Sequence, residues 1–84
     1  MFPVGGESIM QTVSPELIGK RIKEERLKQR LTQERLGEMI YMSSSRISRM
    51  EKGEAIEHLQ TLVLVANALH VDVRVLVEAR IGNS

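Results

Sequence analysis

Eighty-four residues allow one small domain and no second. Apolar residues make up 42%, yet with one Tyr, one Phe and no Trp the core has to come from Leu, Ile, Val, Met and Ala, a helical composition. The absence of cysteine excludes disulfides and thiolate zinc sites, and a net charge of +1 excludes any argument from bulk charge alone.

The distribution of charge says more than its sum. Between Lys20 and Lys52 stand ten Lys/Arg (Lys20, Arg21, Lys23, Arg26, Lys28, Arg30, Arg35, Arg46, Arg49, Lys52) against five acids, and the flanks are acidic. Such segregation suits a polyanion binder, though a solvated helix surface gives the same count. The longest apolar run, Leu62 to Ala66, is five residues, where a bilayer span needs roughly 20. The opening "MFPVGGESIM" carries Glu7 and lacks a basic start and a long apolar stretch, so no secretory signal is expected. A soluble, cytoplasmic protein without a membrane partner is the expectation.

Residues 1–13 mix Pro, two Gly and scattered apolar residues without helical period, and read as a flexible tail from which Ile9 or Val13 can dock on the domain. The domain itself is expected over residues 14–81. Ser14-Pro15-Glu16 is a helix start: a capping hydroxyl, a proline where the missing N–H costs nothing, and an acid at the positive end of the dipole. A first helix is predicted from Pro15 to Gln29, burying Ile18, Ile22 and one face of Arg26. Thr32 caps a second, Gln33 to Ile40, with Leu36, Met39 and Ile40 inward. Ser43 caps a third, Ser44 to Lys52, with Ile47 and Met50 inward and Gly53 as its stop. A fourth runs from Leu59 to Leu69, burying Leu62, Ala66 and Leu69. Asp72 caps a short fifth, Val73 to Arg80; "VDVRVLV" also alternates, and strand is its second reading. The second and third helices, separated by the short Tyr41-Met42 link and the capping Ser43, thus form a helix, tight turn and helix, a recognised DNA-binding unit.

Three stretches, "IGKRIKEERLKQRLTQERLG", "SSSRISRMEKG" and "LQTLVLVANALHVDV", in this order and spacing, resemble the phage-repressor-like (Cro-like, XRE-type) helix-turn-helix family from Ile18 to about Leu76. The resemblance implies an all-α, five-helix, lambda-repressor-like domain whose second and third helices form the helix-turn-helix. It implies that Gly37 lets those two helices cross closely, that Gln33 holds a DNA phosphate at a helix start, and that Arg26 and Glu51 join helices 1 and 3. The sequence departs from the family pattern in three places. Tyr41 stands where a turn glycine is usual, and is strained if its φ is positive. His70 stands where a glycine usually ends the fourth helix. Glu54 and Glu57 stand where relatives often carry Lys, Arg or Pro, and acids repel phosphate.

Helical spacing puts Ser44, Ser45, Ser48 and Arg49 on one face of the third helix and Ile47 and Met50 on the other. A slim polar face ending in arginine fits a major groove about 12 Å wide, with Arg49 suited to guanine O6 and N7 and the serines to weaker base contacts. Thr32, Gln33, Arg46 and Lys52 make up the expected phosphate set. Serine nucleophiles are unsupported, because only His58 and His70 could serve as bases and both lie outside the motif; His58 is read as a helix cap or surface residue. The two histidines match no metal-ligand spacing, and neither metal nor cofactor is expected.

The functional expectation is a sequence-specific, dimeric transcriptional regulator, a repressor on a palindromic operator, rather than an enzyme. The second reading is a protein-interaction module, such as an antitoxin-like partner with secondary DNA binding. Homodimerisation is expected through Val73, Val75 and Val77, with Ile56 and Ile81 at the rim, since one short terminal helix leaves these valines uncovered.

Overall fold

The computed structural model describes residues 13–56 and 58–79, which form five helices in chain order. We label them α1 (Pro15–Lys28), α2 (Gln33–Met39), α3 (Ser44–Glu51), α4 (Leu59–Ala68) and α5 (Val73–Val77). Four of the five starts carry a side-chain cap. Ser14 Oγ accepts the Leu17 N–H at 3.2 Å, Thr32 Oγ1 that of Arg35 at 2.9 Å, Ser43 Oγ that of Arg46 at 3.1 Å, and Asp72 Oδ1 that of Arg74 at 2.8 Å. Each satisfies an N–H that the first helical turn leaves without a partner. His58 occupies the position before α4 but makes no capping bond, so its part is that of an exposed residue.

The helices surround one core in which Ile22, Leu36, Ile47, Met50, Val65, Leu69 and Leu76 are fully buried, with Ile18, Leu62 and Ala66 nearly so. Each large aliphatic side chain removed from water in this way contributes about 1.5–3 kcal/mol. Val65 completes the inward stripe of α4, which is wider than the Leu62, Ala66, Leu69 spacing predicts. Met39, Ile40 and Met42 are half-buried at the margin. Ile56 is also a core residue, 8% exposed. That corrects its expected place at the rim of a dimer contact: the loop after α3 turns this side chain inward.

Two glycines set how closely the elements approach. A methyl group on Gly19 of α1 would lie 2.5 Å from the Met50 carbonyl oxygen, so α1 and the end of α3 meet backbone to backbone. A methyl group on Gly37 would collide with the Met42 carbonyl oxygen. The close approach at Gly37 is therefore to the link that leads into α3, and that link is tied back by the Met42 N–H donating to the Gly37 carbonyl at 2.8 Å. Tyr41, at the apex of the turn, has φ 60° and is 98% exposed. Its left-handed conformation costs roughly 1–2 kcal/mol in a residue with a Cβ, and no packing of the ring offsets it. His70 closes α4 in the same conformation, φ 59°.

The fifth segment is helical, which decides between the two readings of "VDVRVLV", but it is shorter than expected. It stops at Val77, and Glu78 is extended at φ −77°, ψ 142°. The cause is tertiary. Arg21 on α1 donates through Nη1 to the carbonyls of Leu76, at 3.3 Å, and Glu78, at 2.6 Å, while the Val13 N–H donates to Val77 O at 3.3 Å. These donors satisfy the free carbonyls at the end of the helix and fix the exit path. Val13 thus packs on the domain; Ile9, the rest of the expected tail, Arg80 and Ile81 lie outside the described residues.

Candidate nucleic-acid interface

Pairing of α2 with α3 begins from apolar side chains: Leu36 on α2 meets the core that Ile47 and Met50 enter from α3. Because Ile47 and Met50 point inward with no exposure, helical geometry sends the other face of α3 outward. Ser44, Ser45, Arg46 and Arg49 are exposed on it, and Ser48 is half-buried at its edge. Lys52, the residue just after α3, is exposed as well. The face offers hydroxyls that donate or accept and two guanidiniums that only donate, the donor set that base edges and phosphates can receive.

Behind this face lies a buried ion pair. Arg26 on α1 presents Nε to Glu51 Oε2 at 2.6 Å and Nη2 to Oε1 at 3.1 Å, a two-pronged contact with side chains only 8% and 4% exposed. A third donor joins it: Gln33 Nε2 reaches Glu51 Oε1 at 3.0 Å, and Arg26 Nη1 donates onward to the Leu31 carbonyl at 2.8 Å. Three helices are fixed to one carboxylate by this cluster. Gln33 is half-buried at the first position of α2, next to the exposed cap Thr32, so the residue expected at a phosphate is also a structural partner of Glu51. That second attachment was not anticipated from the sequence, although Gln33 and Glu51 stand one helix-turn-helix apart.

A second contact missed by sequence reasoning concerns Arg49. Its Nε donates to Glu54 Oε1 at 3.3 Å, with both side chains more than half exposed. Glu54 comes within reach because Gly53 takes φ 92°, a left-handed turn that glycine adopts without strain. Glu57, the other acid of this loop, lies outside the described residues.

Of the residues expected at a dimer contact, Val73 and Val77 are half-buried against the core of their own chain and Val75 is half-buried. Among the described residues the large apolar side chains left exposed are Leu27 on α1, Tyr41 at the turn, and Leu59 and Leu64 on α4, the last two lying side by side. Leu59 is 63% exposed and Leu64 47%, and with Gln60 and Val63 they line one shallow apolar depression. Leu59 also borders a second depression that reaches Leu62 and Val77. Among the described residues no cluster of His, Asp or Glu could hold a metal ion, and no helix is long and apolar enough to cross a membrane.

This architecture, five short helices with a tight helix-turn-helix and a polar outward third helix, is the lambda-repressor-like DNA-binding domain. The helix-turn-helix family profile matches residues 22–76, and the chain belongs to that family, of XRE type, a class of DNA-binding transcription regulators. Among solved structures it is similar to the restriction-modification controller protein C.AhdI from Aeromonas hydrophila, at 27% identity and TM-score 0.69, over 74% of this chain and 94% of that one. It is similar also to the P22 c2 repressor, solved in complex with a synthetic operator, at 32% identity and TM-score 0.66, over 71% of this chain and 91% of that one. Part of hydroxypropylphosphonic acid epoxidase from S. wedmorenis shares the fold alone, at 17% identity and TM-score 0.70, over 76% of this chain and 34% of the enzyme. Among curated proteins no sequence match is found.

Proposed function

We propose that the protein is a dimeric repressor that recognises a palindromic operator by inserting α3 into the major groove, and that it acts in the cytoplasm without catalysis. The observation that carries this reading is the division of α3: Ile47 and Met50 are wholly buried, while Ser44, Ser45 and Arg49 are exposed on the opposite side. Arg49 reads guanine, the three serines make weaker base contacts, and Thr32, Gln33, Arg46 and Lys52 hold phosphates on either side. One eight-residue helix touches only a few base pairs, so a second copy is needed for both affinity and specificity. The second copy docks on the apolar surface of α4, at Leu59, Val63 and Leu64, continued by the valines Val73, Val75 and Val77 of α5. Two of the structures similar to the chain are a controller protein and a repressor bound to operator DNA, which supports the regulatory reading.

The test separates base reading from phosphate holding. Arg49→Ala should lose roughly 1–3 kcal/mol of discrimination at one position of each half-site, while Lys52→Ala should weaken binding to all sequences and lower the salt slope by about one. Equal weakening of every site by Arg49→Ala would assign Arg49 to phosphate and remove the base-reading role.

A further inference from the structure

Arg49 is held by Glu54 in two ways: the Glu54 N–H donates to the Arg49 carbonyl at 2.9 Å, and Arg49 Nε donates to Glu54 Oε1 at 3.3 Å. The first bond fixes where the Glu54 backbone lies, and the φ 92° turn at Gly53 brings the carboxylate back over the end of α3. An ion pair between side chains 59% and 57% exposed adds little to fold stability. It also places a negative charge beside a surface meant for phosphates, which by itself weakens DNA binding. The contact has a different consequence for the guanidinium. With Nε engaged, the two terminal nitrogens are left to point end-on, the arrangement that meets guanine O6 and N7 with two parallel hydrogen bonds.

We propose that Glu54 is a specificity-determining positioning residue: it orients Arg49 for guanine, and in doing so exchanges overall DNA affinity for sequence discrimination. The inference rests on Arg49 reading a base, as proposed above. Glu54 touches no base and acts only through Arg49. It also accounts for an acid at a loop position where a cation would bind phosphate better.

The experiment measures the affinity of wild type, Glu54→Ala, Glu54→Gln and Arg49→Ala for a selected operator duplex. The same measurement is made on duplexes in which each G·C pair of the half-site is replaced in turn, and on random-sequence DNA. Glu54→Ala should bind random DNA more tightly and show a guanine preference reduced roughly two- to fivefold, the range expected when an exposed ion pair is lost. Glu54→Gln keeps an acceptor for Arg49 Nε, so it should gain affinity and retain most of the preference. Unchanged melting temperatures will show that all three variants fold. A Glu54→Ala protein that gains affinity equally on every duplex, with its guanine preference intact, overturns the positioning role while leaving Arg49 as the reader. An Arg49→Ala protein with unaltered preference at every pair overturns both.

Discussion

A single carboxylate, Glu51, holds α1, α2 and the end of α3 together through Arg26 and Gln33. Removing one partner leaves the other charge buried, at a cost of about 3–5 kcal/mol, against a total stability of roughly 5–15 kcal/mol for a domain. Arg26→Ala and Glu51→Ala should each lower the melting temperature sharply or abolish cooperative unfolding. An Arg26→Met, Glu51→Leu double variant removes both charges and should recover much of the loss, because well-packed apolar residues can replace a buried pair. Thermal denaturation followed by circular dichroism checks all three, and single variants that melt like wild type would remove the pair from the account of stability. The Arg26 and Glu51 pairing was suggested by resemblance, and its two-pronged geometry depends on how α1 crosses α3. Gly19 permits that crossing. A glycine inside a helix costs about 1 kcal/mol relative to alanine, and this was the one local sign of the close contact.

Helix starts were legible, and four of the five ends, Lys28, Met39, Glu51 and Ala68, fall within one residue of the expected positions; only the end of α5 was not legible, for a reason of range. Ser14, Thr32, Ser43 and Asp72 cap within three residues of their own positions, so short-range sequence contains the whole interaction. The end of α5 is decided by Arg21, 55 residues from Leu76 and 57 from Glu78, and no local pattern reports it. The Arg49–Glu54 contact was hidden in the same way, since it depends on the φ that Gly53 adopts. At α5 the cap itself can be tested by pH. The side-chain hydrogen bond from Arg74, then the bond from its backbone N–H, holds the Asp72 carboxyl below its usual range. Its contribution is therefore complete above the carboxylate's unfolded pKa and is lost as pH falls through the lowered folded value. Amide exchange in α5 should accelerate on acidification below the ordinary carboxylate range. In Asp72→Asn, whose amide caps without titrating, that acid-dependent step should be absent. Equal acid sensitivity in both proteins would show that another group controls the helix.

For the whole molecule, the proposed two-fold assembly would set how far apart the reading helices stand. The sequence pointed to the α5 valines and Ile56, because an inward stripe on α4 of only Leu62, Ala66 and Leu69 left α5 as the excess apolar surface. In the folded chain Ile56 is core, Val73 and Val77 pack partly inward, and Leu59 and Leu64 of α4 are the more exposed. Leu64→Asp should consequently give a folded monomer by analytical ultracentrifugation, with much weaker operator binding. A variant that remains dimeric would move the contact elsewhere.

Sequence-specific reading by a pair of α3 helices is tested most directly by selecting bound duplexes from a random DNA pool with the wild-type protein. The enriched sequences should be palindromes whose half-sites are centred about one helical turn, roughly 34 Å, apart. Recovery of unpaired half-sites, or of no sequence above the starting pool, would contradict the account.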